Sequence, residues 1–113
     1  MIYNSRVTKL KNKLAQLNLD GIYVTNLTNV QYLTGFTGSA GSLLVLDDQQ
    51  HFFTDGRYIE QSKEQVKNCI IHIVSSAHYL EIKDKSLIAN DQKIGIESQS
   101  MSIHLYDKVR AAL

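Results

Sequence analysis

Apolar residues recur along this chain in two rhythms. Val7, Leu10, Leu14 and Leu17 are spaced by three and four, which lines one face of a helix and predicts one over residues 5–17. Asn18 through Gly21 stops it. Gly21-Ile22-Tyr23-Val24-Thr25 is rich in β-branched and aromatic residues and too brief for a helix, so it reads as a strand. Asn26-Leu27-Thr28-Asn29 carries turn chemistry, with Asn29 placed to cap a short helix that ends near Thr34. The apolar run Ser42-Leu43-Leu44-Val45-Leu46 predicts a buried strand. Asp47-Asp48-Gln49-Gln50 turns the chain, and His51-Phe52-Phe53-Thr54 returns as the second arm of a hairpin.

Asp55 is placed to cap the next helix, which carries Ile59, Ser62 and Val66 on one side. Ile70-Ile71-His72-Ile73-Val74 predicts a further strand, residues 79–88 a helix, and residues 93–97 a strand. Leu105, Val109 and Ala112 line an amphipathic helix over 102–112. Strands separated by helical patterns define an α/β domain, and the hairpin makes its sheet mixed, flanked by helices. At 113 residues there is room for one core, and the absence of proline, repeats and low-complexity tracts leaves no internal linker, so residues 1–113 form one domain. The last helix reaches Leu113 with no glycine to end it, so the domain is expected to stop short of one more strand.

Composition narrows the partners. With 12 Lys and Arg against 11 Asp and Glu, the net charge of +1 provides no global field for nucleic acid or an anionic membrane. Arg6, Lys9, Lys11 and Lys13 cluster in the first helix, but no aromatic residues interleave with them to stack bases, so they read as a solvated face. The single Cys69 has no disulfide partner within the chain, and no apolar run is long enough for a signal peptide or a membrane span, so the expected compartment is the cytoplasm. Cys69 beside Ile70 and Ile71 reads as a small buried hydrophobe.

No familiar catalytic constellation emerges. His51, His72, His78 and His104 do not pair at helical spacing, and no His-Glu-x-x-His run occurs, so none is read as a metal ligand. Gly38-Ser39-Ala40-Gly41 has Thr37 where an esterase elbow needs its first glycine. Thr54-Asp55-Gly56 matches the aspartic-protease triplet only in permuted order. Gly35, Gly38 and Gly41 fall at intervals of three, which fits neither phosphate-binding pattern, and a strand follows them where a phosphate loop would open a helix.

Three segments remain: Asp20-Gly21-Ile22-Tyr23-Val24-Thr25-Asn26, Tyr32-Leu33-Thr34-Gly35-Phe36-Thr37-Gly38-Ser39-Ala40-Gly41 and Phe53-Thr54-Asp55-Gly56-Arg57-Tyr58. In this order, and continuing through Ile94-Gly95-Ile96-Glu97, they resemble the N-terminal domain shared by creatinase, prolidase and aminopeptidase P, over nearly the whole chain from about Arg6 onward. The resemblance implies a mixed sheet with a ribonuclease H-like motif, standing before a larger "pita-bread" catalytic domain that this chain lacks. That domain would bind two divalent metal ions, Mn²⁺ or similar, through Asp, His and Glu ligands with no counterpart here. The chain itself is therefore expected to hold no catalytic, cofactor or metal residue.

By the same resemblance the domain serves its own C-terminal catalytic domain and a homodimer, and its glycine loop reaches toward the partner subunit's pocket for a proline-containing peptide. Carried onto this sequence, that role falls on Phe36, Thr37, Gly38, Ser39, Ala40 and Gly41, with Tyr32 and Arg57 as neighbours. For Phe36 a place in the core is an equal alternative, and Arg57 reads first as the partner of a nearby carboxylate or helix end. The small neutral loop is more similar to that of bacterial aminopeptidase P than to the acidic and histidine-bearing loops of prolidases. The expected parent is thus a cytosolic Xaa-Pro aminopeptidase. An Xaa-Pro dipeptidase, or a stand-alone ligand-binding or interaction module, is the alternative.

Overall fold

A computed structural model of the chain describes residues 2–97. Helix α1 (Ile2–Gln16) begins upstream of its expected start. Its stripe buries Leu14 and packs Val7 and Leu10 against the core, but Leu17 lies past the helix end and is exposed. Asn18 turns left-handed at φ 58°, and the Leu19 amide donates back to the Leu14 carbonyl at 2.9 Å, which satisfies a carbonyl at the helix terminus.

Strand β1 (Gly21–Val24) leads into α2 (Leu27–Thr34). Its cap is Asn26, not Asn29: Asn26 is extended, and its side-chain oxygen accepts the amide of Asn29, which already lies in the first turn. Strands β2 (Ser42–Leu46) and β3 (Gln50–Thr54) form the expected hairpin. Asp55 does cap, but the unit it opens is a 3₁₀ turn, Gly56–Tyr58, which runs into α3 (Ile59–Gln65). On α3 Ser62 is buried, as is Val66 just after it, whereas Ile59 is exposed.

Strand β4 (Ile70–Ile73) follows, then α4 (His78–Asp84) and β5 (Ile94–Ile96). Helix α4 is shorter than its apolar pattern suggests. Ser86 turns left-handed at φ 51°, and the Leu87 amide bonds the Ile82 carbonyl, so Leu87 and Ile88 pack on the sheet from a loop. The helix expected over 102–112, His104 and the expected end of the domain lie outside the described residues.

The five strands are ordered β4-β3-β2-β1-β5. β1 and β3 pair antiparallel to β2, while β5 runs parallel to β1 and β4 parallel to β3, so the sheet is mixed as expected. Central β2 is buried at all five positions, which explains its unbroken apolar run. Strand alternation sends Leu43, Val45 and Phe52 to one face, where α1 supplies Val7 and Leu10 and α2 Val30 and Leu33, with Val66 following α3. Leu44, Leu46 and Phe53 go to the other, where they meet Tyr23 of β1 and Ile82 of α4. Burying each such large apolar side chain contributes roughly 1.5–3 kcal/mol.

Candidate functional site

The glycine segment joins α2 to β2, and contacts spaced along it hold it in place. Thr34, the last helical residue, folds its hydroxyl back onto the Val30 carbonyl at 2.7 Å and accepts the Phe36 amide at 3.1 Å. Gly35 adopts φ 85°, a left-handed conformation that ends the helix and that other residues rarely take. The chain is thereby turned inward at Phe36, which is 1% exposed. Its ring meets Phe52 edge-on at 4.8 Å and Tyr58 at 5.4 Å. Of the two readings open for Phe36, the core describes its position here.

Beyond Phe36 the loop turns outward. Thr37 and Ser39 are exposed, Gly38 and Ala40 half-buried, and Gly41 buried. The Thr37 amide donates to Gln65 Oε1 at 3.0 Å, and its hydroxyl accepts from Gln61 Nε2 and Gln65 Nε2, each at 3.0 Å. The Ser39 amide donates to the Tyr58 hydroxyl at 3.1 Å, and the Ser39 hydroxyl lies 2.6 Å from the same atom. Thr54 of β3, fully buried, donates to the Ala40 carbonyl at 2.6 Å. Gly38 has no room for a side chain: an added Cβ would sit 2.3 Å from Phe36 Cζ and 2.9 Å from Tyr58 Cε1.

Arg57 stands at the edge of this cluster, bonded in bidentate fashion to Asp55 through Nε at 3.0 Å and Nη2 at 2.7 Å, with its guanidinium 5.0 Å from the centre of the Tyr58 ring. Those bonds from Arg57 hold the Asp55 carboxyl below its ordinary value. Arg57 is thus the partner of a nearby carboxylate. Tyr32 belongs elsewhere. It packs under the Arg6 guanidinium, 4.1 Å from its ring centre, and Arg6 Nη1 donates to its carbonyl at 2.8 Å. It lines a separate groove with Leu10, Ile22 and Glu97. Two members of the basic cluster therefore do more than face solvent, because Lys11 also donates to the Asp47 carbonyl.

Sequence reasoning did not foresee the residues that fasten the loop: Tyr58, Gln61, Gln65 and Thr54. A signal existed for two of them, since Gln61 and Gln65 stand four apart and share a helix face. Glu97 was also missed. Following β5, its carboxylate accepts the Asn26 amide at 2.9 Å and the Thr25 amide, bracing the start of α2 where the helix favours negative charge.

Chemically the loop offers small neutral groups. Ser39 faces a phenol, and its hydrogen bonds lower the Tyr58 pKa; among the described residues no imidazole or carboxylate bonds Ser39 to act as its base. Among the described residues no group of three or more His, Cys, Asp and Glu converges on a metal position. The donors among the described residues do not assemble a site for the two cations implied by the resemblance. What the loop turns outward is Thr37 and Ser39, small uncharged side chains held in place by these bonds.

Comparison with known proteins supplies the context. Over 108 residues the chain is 37% identical to the Uncharacterized peptidase YqhT of Bacillus subtilis (strain 168), covering 96% of this chain and 31% of that protein. Over 86 residues it is 34% identical to Xaa-Pro aminopeptidase 1 of Dictyostelium discoideum, covering 74% of this chain and 14% of that protein. The chain thus spans a third or less of the curated relatives it matches. The solved Xaa-Pro dipeptidase from Bacillus anthracis superposes with a TM-score of 0.90 at 26% identity, over 98% of this chain and 31% of that one. Residues 6–113 match the family described as Creatinase/Prolidase N-terminal domain, and the chain belongs to that family.

Proposed function

We propose that this chain is the non-catalytic N-terminal domain of a cytosolic Xaa-Pro aminopeptidase, a metallopeptidase cleaving the bond before proline. In this reading the domain contributes to dimerisation, and residues 37–41 border the partner subunit's substrate pocket while Phe36 sets their base. The observation that carries it is the way the loop is built. Thr37 and Ser39 face outward, yet side chains from the 3₁₀ turn, α3 and β3 fix the loop along its length. A connection with no task beyond joining α2 to β2 has no need of four dedicated clamps.

Three observations support the wider reading: family membership, a relative named as an Xaa-Pro aminopeptidase, and the third of a peptidase's length that the chain matches. The metal ions, proline-containing substrate and hydrolysis belong to the catalytic domain that would follow. Similarity to the Bacillus anthracis enzyme favours a second reading, in which the parent is an Xaa-Pro dipeptidase. Loop size discriminates the two: a short uncharged rim leaves room for a peptide longer than two residues. Turnover of Xaa-Pro dipeptides and longer Xaa-Pro peptides by the full-length chain is the test. Preference for the longer peptides supports the aminopeptidase, and strict dipeptide preference overturns it.

A further inference from the structure

The other face of the sheet carries a file of titratable side chains that the glycine loop does not use. His51 on β3 and His72 on β4 are 2% and 7% exposed. His51 Nδ1 lies 2.9 Å from His72 Nε2, and His72 Nδ1 lies 3.4 Å from Glu81 Oε2 on α4. Lys85 Nζ reaches the same carboxylate oxygen at 2.9 Å. Phe53 stacks on the His72 ring at 4.8 Å, and Leu44 stands opposite His51 across the hairpin. The file therefore crosses from the interior of the sheet, through its edge strand, to the helix that covers it.

Donor and acceptor counting fixes the protons. An ionised carboxylate only accepts, so the proton facing Glu81 sits on His72 Nδ1. Neutral His72 then presents a lone pair at Nε2, and His51 must donate to it from Nδ1. What remains is His51 Nε2, a bare lone pair. Among the described residues it is a buried side-chain atom with no hydrogen-bond partner. One added proton changes this balance wherever it settles. With one hydrogen already facing Glu81 and one held between the rings, the third must lie on His51 Nε2, as a buried donor with nothing to accept it.

We propose that the His51–His72 pair is an acid-sensitive latch: in its neutral form it holds α4 and the edge strand β4 to the sheet, and uptake of one proton releases them. The charges acting on the pair come from the β2–β3 turn and from α4. Asp48 in the β2–β3 turn acts on His51 and favours the proton, as does Glu81 on His72, while Lys85 opposes it. Burial outweighs the nearby carboxylates and pushes both imidazoles below their ordinary value, with the charge of His72 adding to the effect on His51. His78, the first residue of α4, is pushed the same way by burial. The unfolded chain then binds more protons than the folded one. The pair's stabilisation is present above the ordinary histidine value of about 6.5, and is lost as pH falls through the folded value.

Release of α4 also reaches the glycine loop. His78 Nδ1 lies 2.7 Å from the hydroxyl of Ser42, the residue immediately after Gly41, so the helix start holds the exit of the loop. The test is amide hydrogen exchange on the 113-residue chain between about pH 7.5 and about pH 5.5, corrected for intrinsic rates. The latch predicts that α4 amides lose about tenfold more protection across this interval than those of α2, most of it below about pH 6.5, as one extra proton on an ordinary histidine requires. Equal losses in both helices, or none, overturn it. Ring ¹⁵N spectra at the higher pH provide a second readout that needs no variant. Nδ1–H on both His51 and His72 supports the latch, and Nε2–H on His51 overturns it.

Discussion

The hydroxyl of Tyr58 lies 2.6 Å from that of Ser39 and accepts the Ser39 amide at 3.1 Å, so one phenol holds both the backbone and the side chain at the crest of the glycine loop. Tyr58 also gives its ring edge to Phe36, which ties the crest of the loop to the core below it. Replacing Tyr58 with Phe keeps the ring contact and removes both hydrogen bonds. The Ser39 amide should then exchange faster while the Val30 amide of α2 does not change, as hydrogen-exchange spectra would reveal; unchanged protection at Ser39 would show that the phenol does not fix the loop.

Gly38→Ala should destabilise the domain although Gly38 is only half-buried. The added methyl meets two aromatic rings that are themselves packed, and overpacking of this kind costs about 1–3 kcal/mol. Denaturant titration measures it. A variant as stable as the parent would mean that the Phe36 and Tyr58 rings yield without cost.

Phe36→Ala should be far more damaging, at about 3–5 kcal/mol, because it removes a ring enclosed by Phe52, Tyr58 and the first face of the core. A loss below about 1 kcal/mol would contradict the placement of Phe36 in the core.

Cys69 should be inert in the folded chain. Burial pushes its thiol up to about 11, so near neutral pH it stays protonated, packed against the first core cluster. Iodoacetamide should modify it slowly until denaturant opens the domain. The linkage has the opposite sign to that of the histidines: this thiol's stabilisation is complete below its ordinary value and declines as pH rises toward the folded one. Rapid native-state alkylation would place the sulfur at the surface.

Much of this architecture was legible in the sequence because local pattern and tertiary position agree. The all-apolar run at residues 43–46 is a central strand covered on both faces, and Asn18 and Gly21 bracket a real helix-to-strand turn. Pattern misled where a contact distant in sequence decided the outcome. Asn26 rather than Asn29 caps α2, its side chain accepting the Asn29 amide, and the Glu97 carboxylate that braces it from 71 residues away through the Asn26 amide has no trace in the local pattern. His72 shows the same limit. Strand alternation placed it opposite Ile71 and Ile73, but only the β3–β4 pairing and the docking of α4 set it between His51 and Glu81. Family motifs pointed to the loop itself, while its clamps became visible once α3 and β3 were folded beside it.

If the fixed loop serves a pocket outside its own domain, as proposed, bulk added to it should obstruct the substrate there. The steady-state kinetics of the proposed parent enzyme carrying Ser39→Trp measure this, because the substitution adds bulk at an exposed position of the loop. KM for longer Xaa-Pro peptides should rise about tenfold, with bound metal and melting temperature close to those of the parent. An unchanged KM, in a variant whose fold and metal content are intact, would contradict it.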